Sequence, residues 1–144
     1  MIDYQDIPDW WALCPNASCK MAEKCLRQQA CRQMSQEVKR WNCVLPHAQS
    51  DNDCEFYLKY EKETMAKGLT IIYKDVHSRE MRAKIRKDII SYLGSKGTYY
   101  RYQKGERLMN PNMQQDIIDI VHSFVPEAEV IFDKTFEGYD FTKY

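Results

Sequence analysis

The feature that most constrains this chain is its six cysteines in 144 residues, three of them within twelve residues near the N-terminus. The first thirteen residues lack the basic start and the run of roughly 7–15 apolar residues that mark a secretory signal. We therefore expect a cytoplasmic protein, in which thiols stay reduced and ligate soft or borderline metals such as zinc. The sequence predicts a metal site rather than disulfides. The six residues are Cys14, Cys19, Cys25, Cys31, Cys43 and Cys54.

Helical geometry separates two of these cysteines. Apolar residues recur every three or four positions from about residue 20 to residue 41, which predicts a helix with Ser18 as its N-cap. In that helix Cys25 and Cys31 lie about 9 Å apart along the axis and about 120° apart around it. They cannot ligate the same ion. Cys25 stays close to the segment that carries Cys14 and Cys19, so those three are expected to converge.

The fourth ligand is less constrained. Cys54 follows a turn signal at residues 51–53, and a turn can direct a side chain inward. Cys43 would lie about 27 Å from Cys25 along a straight helix. Cys54 is therefore the preferred ligand, and His47 is a third option.

The metal hypothesis has alternatives. The spacing differs from the paired Cys-x2-Cys form of many zinc sites. Free cysteines also pack as small apolar residues in protein cores, and a disulfide or a redox role remains a further alternative. Zinc is the expected metal, and an iron–sulfur cluster on four cysteines is the other possibility.

The length predicts a single domain, with a cysteine-rich part over residues 1–54 and a helical part over residues 55–144. The fold class is predicted to be α+β, helix-rich, with a few short strands and an N-terminal segment tied down by cysteines. Large aliphatic residues are few, so a metal staple would help a small core.

Two helices carry clear boundary signals. Ser78 is a predicted N-cap for a helix that ends at Gly94, and Asn110-Pro111 opens the last helix. Residues 64–76 fit either helix or strand, and helix is slightly favoured. Strands are predicted at residues 55–60, 99–102 and 129–132.

The charge is balanced, with 21 basic and 21 acidic side chains, so no overall field attracts nucleic acid or membrane. No stretch approaches the roughly 20 apolar residues that span a bilayer. The region from residue 79 to 107 is nevertheless basic and carries tyrosines, as phosphate and base recognition require. The alternative without a binding function is that the basic residues lie on solvated helix faces and the tyrosines are half-buried. The predicted partner-binding residues are Arg82, Arg86, Arg101, Arg107 and Tyr100, for a nucleic acid or an acidic protein.

Catalysis has little support. The three histidines lie in no catalytic motif, and no phosphate-binding loop, zinc-protease motif or nucleophile elbow is present. A closed four-thiolate site leaves no coordination position for a substrate. We expect a non-catalytic binding or regulatory module. The competing class is an iron–sulfur or thiol-based redox or sensor protein, or a small enzyme that uses the cysteines directly.

Several motifs together resemble an uncharacterised bacterial domain family of similar length. They are Cys14, Cys19, Cys25-Leu26-Arg27, Cys54 ahead of an aromatic pair, Tyr99-Tyr100-Arg101-Tyr102, Gly105-Glu106-Arg107 and Phe132-Asp133. The resemblance implies that Cys14, Cys19, Cys25 and Cys54 act together, whereas Cys31 and Cys43 are extras. It also implies a bacterial, cytoplasmic setting, and it implies no activity.

Overall fold

The computed structural model describes residues 2–50 and 53–143. The chain forms two compact units: Met1–Lys62 with Tyr139–Tyr144, and Glu63–Gly138. The second unit is thus inserted, in sequence, between two segments of the first. The boundary predicted after residue 54 falls inside the first unit. Whether the two units act as one domain, as the sequence predicts, stays untested.

The first unit contains one short helix and one small hairpin. Helix α1 spans Leu26–Arg32, and strands β1 (Gln49–Ser50) and β2 (Asp53–Cys54) pair antiparallel. Single 3-10 turns lie at Tyr4–Asp6, Ala22–Lys24 and Pro46–Ala48. Most of this unit is irregular chain held by backbone hydrogen bonds.

The helix predicted from about residue 20 to residue 41 is therefore much shorter than expected. Cys25, rather than Ser18, is its N-cap, with an extended backbone (φ −100°, ψ 122°). That conformation lets Cys25 pair with Lys59 as an isolated bridge. Only this one bridged residue lies in the strand predicted at residues 55–60. The apolar spacing after Arg32 reflects irregular chain whose side chains still reach the core.

The core of the first unit is aromatic and draws on both of its segments. Trp11 is fully buried and meets Phe141 edge-to-face, with 5.0 Å between ring centroids. Tyr60 and Tyr139 stack at 5.2 Å. The other buried apolar members are Ile2, Ile7, Leu13, Leu26 and Ala30.

The second unit packs three helices with a two-stranded sheet. Strands β3 (Glu63–Lys67) and β4 (Lys134–Gly138) pair antiparallel, with Met65 opposite Phe136. The helices are α2 (Arg79–Leu93), α3 (Lys96–Gln103) and α4 (Pro111–Phe124). Within the described residues, four helices and two small antiparallel sheets confirm the predicted α+β class. Among those helices, none has the length and apolar character needed to cross a bilayer.

The boundary signals of α2 and α4 are confirmed. The Ser78 hydroxyl accepts a hydrogen bond from the Met81 N–H at 3.2 Å. Gly94 ends α2 at φ +101°. Asn110 accepts from the Met113 N–H at 2.9 Å. Helix caps of this kind can be predicted from sequence because they depend only on residues close together in the chain.

Three other predictions for the second unit are wrong. The slight preference for helix over residues 64–76 fails because the strand Glu63–Lys67 pairs with a distant partner. Residues 99–102 are helical rather than extended, because Ser95 caps α3 through the Thr98 N–H. Residues 129–132 form no strand, and the strand begins at Lys134 instead.

Candidate metal centre

The four cysteines grouped by the sequence line one small cavity in the first unit. Its volume is about 30 Å³, roughly the space of one or two water molecules. Three segments supply the sulfur atoms: an irregular N-terminal segment, the start of α1 and the end of β2. The four residues are Cys14, Cys19, Cys25 and Cys54.

Cys14 and Cys19 each lie in a turn whose backbone points an N–H group at the sulfur. The Asn16 backbone donates to the Cys14 sulfur, and the Met21 N–H donates to Cys19 Sγ at 3.4 Å. In both cases the donor is two residues beyond the cysteine. Hydrogen bonds of this kind favour the thiolate form, which is the form that binds metals.

Cys25 and Cys54 are held by strand-like pairing. Cys25 pairs with Lys59, and Cys54 pairs with Gln49 across the hairpin. The hairpin is attached to the Cys14 turn, because Asn16 Nδ2 donates to Gln49 Oε1 at 3.1 Å. Residues far apart in sequence are thereby brought to one cavity.

Arg27 also lines this cavity, and sequence reasoning missed its position. The side chain is 1% exposed. Its Nε donates to the Phe56 carbonyl at 2.8 Å and its Nη1 to the Ala12 carbonyl at 2.7 Å. Its guanidinium lies 4.7 Å from the centroid of the Trp11 ring system. Its Nη2 is buried and has no hydrogen-bond partner among the described residues. The only sequence signal was its place in the Cys25-Leu26-Arg27 triplet.

The cysteines of this cavity influence one another's ionisation and that of Arg27. Burial raises the pKa of the Cys14 thiol, the Asn16 N–H opposes this, and the nearby Cys25, Cys19 and Cys54 add to the increase. Burial lowers the pKa of Arg27, and Cys25, Cys54 and Cys14 act in the opposite direction. The cavity therefore combines several thiols with one buried cation.

The structure does not show a formed coordination sphere. Among the described residues, no three His, Cys, Asp or Glu side chains are arranged to hold a metal ion. All six cysteines are free thiols. The four cysteines thus share a cavity, and their role as ligands stays a prediction.

The remaining candidate ligands lie elsewhere. Cys31 sits on α1, packed against the first core, and burial raises the pKa of its thiol. Cys43 is exposed, and its thiol donates to the Trp41 carbonyl at 3.7 Å. His47 is not part of the cavity lining, although both of its sequence neighbours are.

Two of the five predicted partner-binding residues line one surface pocket. Arg82 and Arg86 lie on α2 and line a surface pocket with His77 and Arg79, which the sequence reasoning did not select. The other three predicted residues are exposed and lie outside that lining: Tyr100 and Arg101 on α3, and Arg107 in the following loop.

A family of unknown function, DUF6078, matches residues 1–141. The chain belongs to DUF6078. The DUF6078 match includes all six cysteines and extends through Phe141, and it confirms membership of an uncharacterised domain family. No curated protein and no solved structure matches the chain.

Proposed function

We propose that this protein is a small metal-binding module whose first unit is stapled by one zinc ion on Cys14, Cys19, Cys25 and Cys54. The observation that carries the proposal is the single cavity shared by these four cysteines. At about 30 Å³ it is far smaller than the roughly 300–1,000 Å³ pockets that bind organic ligands. A single ion matches that volume better than a polyatomic cluster does.

Two further features support a thiolate site. The N–H groups of Asn16 and Met21 point at sulfur atoms that would carry negative charge. Zinc with four thiolates has a net charge of about −2, and Arg27 supplies a buried positive charge beside it. Its free Nη2 would find an acceptor in a ligand sulfur. A buried cation is otherwise costly.

The metal would have a structural role. A tetrahedral site with four thiolates is closed, so it holds chain segments together and leaves no position for a substrate. Here the segments would be the N-terminal turns, the start of α1 and the hairpin. The protein would act in the cytoplasm as a non-catalytic binding or regulatory module. The alternative is an iron–sulfur or thiol-based redox protein or small enzyme, in which the same cysteines react.

The test is native mass spectrometry of protein purified without oxygen, compared with its denatured mass. We expect one zinc per chain, loss of that zinc in Cys19→Ser, and a lower melting temperature for this variant. Cys43→Ser is the matched control, because Cys43 is exposed and outside the cavity. It should keep both the metal and the stability.

Three outcomes would contradict the proposal. An iron–sulfur mass would favour the redox alternative. Zinc that remains after Cys19→Ser would remove this residue from the ligand set. Thiols that all react at once with a maleimide, with no effect of chelator, would indicate reactive rather than metal-bound cysteines.

A second candidate function is recognition of an anionic partner, a nucleic acid or an acidic protein, by the second unit. The observation that favours it is the surface pocket on α2, which is lined by three arginines and a histidine with no acidic side chain among them. The test is the binding of single-stranded DNA, which probes the whole basic region from residue 79 to residue 107. Arg101→Gln with Arg107→Gln should weaken DNA binding, and added salt should weaken it further. Binding that survives the double substitution would exclude Arg101 and Arg107 from the contact, and binding that does not respond to salt would contradict a phosphate-driven contact.

A further inference from the structure

The surface pocket beside the first half of α2 is lined almost entirely by basic side chains. His77, Arg79, Arg82, Ala83 and Arg86 line it, and its volume is about 400 Å³. The four helical members are spaced three, four and seven residues from Arg79, so they lie on one face. Three arginines and a histidine therefore line one space.

Two of the arginines are held in place by the fold. Arg82 Nε donates to the carbonyl of Val76, which is buried in the core of the second unit. The Arg86 guanidinium lies 5.8 Å from the Tyr73 ring centroid and interacts with the hydroxyls of Tyr99 and Tyr73. Those two hydroxyls share a buried hydrogen bond of 2.8 Å. Side chains fixed in this way lose less entropy when a ligand binds.

The charge of the pocket is not balanced by the protein. Among the described ion pairs, none involves Arg79, Arg82 or Arg86. Glu80 lies in the same turn but pairs with Lys84 at 3.5 Å. Arg79 and Arg82 also lie in the first turn of α2, at the positive end of the helix dipole, where a cation destabilises the helix. A bound anion would relieve both sources of repulsion.

We propose that this pocket binds the phosphate groups of a small phosphorylated molecule. The planar fork of arginine matches phosphate oxygens in pairs. The volume is in the range of small-molecule sites, and three guanidinium groups suit a ligand with two linked phosphates. The lining contains no Phe, Tyr or Trp ring, and stacking on such rings contributes much of the affinity for single-stranded nucleic acid. The inference rests on the anionic-partner function proposed above and names the ligand class for it.

The test is isothermal titration calorimetry of the full chain with inorganic pyrophosphate, in low-salt buffer. We expect saturable binding with one site. Arg79→Gln with Arg82→Gln should weaken it by roughly tenfold or more, because charge-assisted hydrogen bonds are lost. Both residues are exposed, and removing cations from a helix N-terminus should not unfold it.

The matched control is Lys87→Gln with Lys96→Gln, which removes the same charge from α2 and α3 outside the pocket lining. It should bind pyrophosphate like the unaltered chain. Equal weakening by both double variants would overturn the inference, since attraction would then be diffuse. Binding of single-stranded DNA without pyrophosphate would also overturn it, while leaving the anionic-partner function intact. Binding of neither would overturn both.

Discussion

At the scale of single residues, Arg27 connects the cavity to the fold of the first unit. Its two hydrogen bonds go to carbonyl groups of Ala12 and Phe56, which lie two residues from Cys14 and Cys54 respectively. Its own carbonyl accepts the Cys14 N–H at 3.2 Å. One buried side chain and its backbone thus fix the approach of two predicted ligands. We assign it a positioning role.

Arg27→Lys should therefore destabilise the first unit despite keeping the charge. A lysine cannot make both carbonyl hydrogen bonds of the guanidinium fork, and hydrogen bonds to charged groups contribute about 1.5–3 kcal/mol each. We expect a loss of about 2 kcal/mol and weaker retention of zinc, measured by urea unfolding with and without chelator. Arg32→Lys is the control, because Arg32 lies on the same helix in an exposed pair with Glu23 and should change stability by less than about 1 kcal/mol. Equal effects of the two substitutions would exclude the positioning role.

The sequence singled out the cysteines as candidate ligands but did not indicate that Arg27 lies beside them. Several thiols close together in a sequence indicate metal chemistry by their residue type alone. An arginine is usually exposed, so its burial depends on acceptors that only the folded chain provides. Cys14, Cys19, Cys25 and Cys54 share a cavity although the long helix used to separate Cys25 from Cys31 is not present. The family resemblance made the same grouping independently of that helix.

At the scale of elements, α2 and α4 are joined by a hydrogen bond between their polar faces. The Tyr92 hydroxyl donates to Asp116 Oδ2 at 2.7 Å. Burial, and after it the Asp116 carboxylate, raises the pKa of Tyr92 from 10.0 to about 12. The folded unit therefore keeps this proton at a pH where the unfolded chain has released it.

The pH dependence follows with a definite sign. A raised folded-state pKa gives stability that is fully present below the unfolded value and is lost as pH rises through the folded value. The contribution of Tyr92 should fall between about pH 10 and about pH 12. Urea unfolding across this range should show a shallower loss for Tyr92→Phe and for Asp116→Asn than for the unaltered chain. Parallel curves would show that this contact does not control alkaline stability.

The elements that sequence reasoning found are those with local signals. Ser78, Gly94 and Asn110 act on their own neighbours, so α2 and α4 were predictable. The strand at Glu63–Lys67 exists because residues 134–138 pair with it, and no local pattern encodes that partner. Gly68 ends this strand at φ +87°, where an added Cβ would collide with the Asp133 carboxylate. That carboxylate accepts the Thr70 N–H at 3.0 Å, so the strand end depends on another long-range contact.

At the scale of the whole molecule, residues from the C-terminal end of the chain complete the first unit. Phe141 is buried against Trp11, and Tyr139 stacks on Tyr60. The aromatic core of the first unit therefore requires chain from both sides of the inserted unit. Contacts of such long sequence separation slow folding.

Phe141→Ala should weaken the first unit selectively. Truncation of a buried Phe costs about 3–5 kcal/mol, and the loss would fall on the core that holds Trp11. Hydrogen exchange should show reduced protection of α1 amides with little change in α2 and α4. Ile131→Ala is the control, since Ile131 is 38% exposed in the second unit. Equal loss of protection in both units would show that they unfold together.

This chain order also has a consequence during protein synthesis. Cys14 leaves the ribosome about 125 residues before Phe141, a delay of roughly 6 to 25 seconds at about 5–20 residues per second. Throughout that interval the thiols belong to a nascent segment that lacks its closing aromatic residues. If the proposed zinc site exists, we expect stable metal binding to be a late step of biogenesis and the nascent polypeptide to be the stage most sensitive to oxidants.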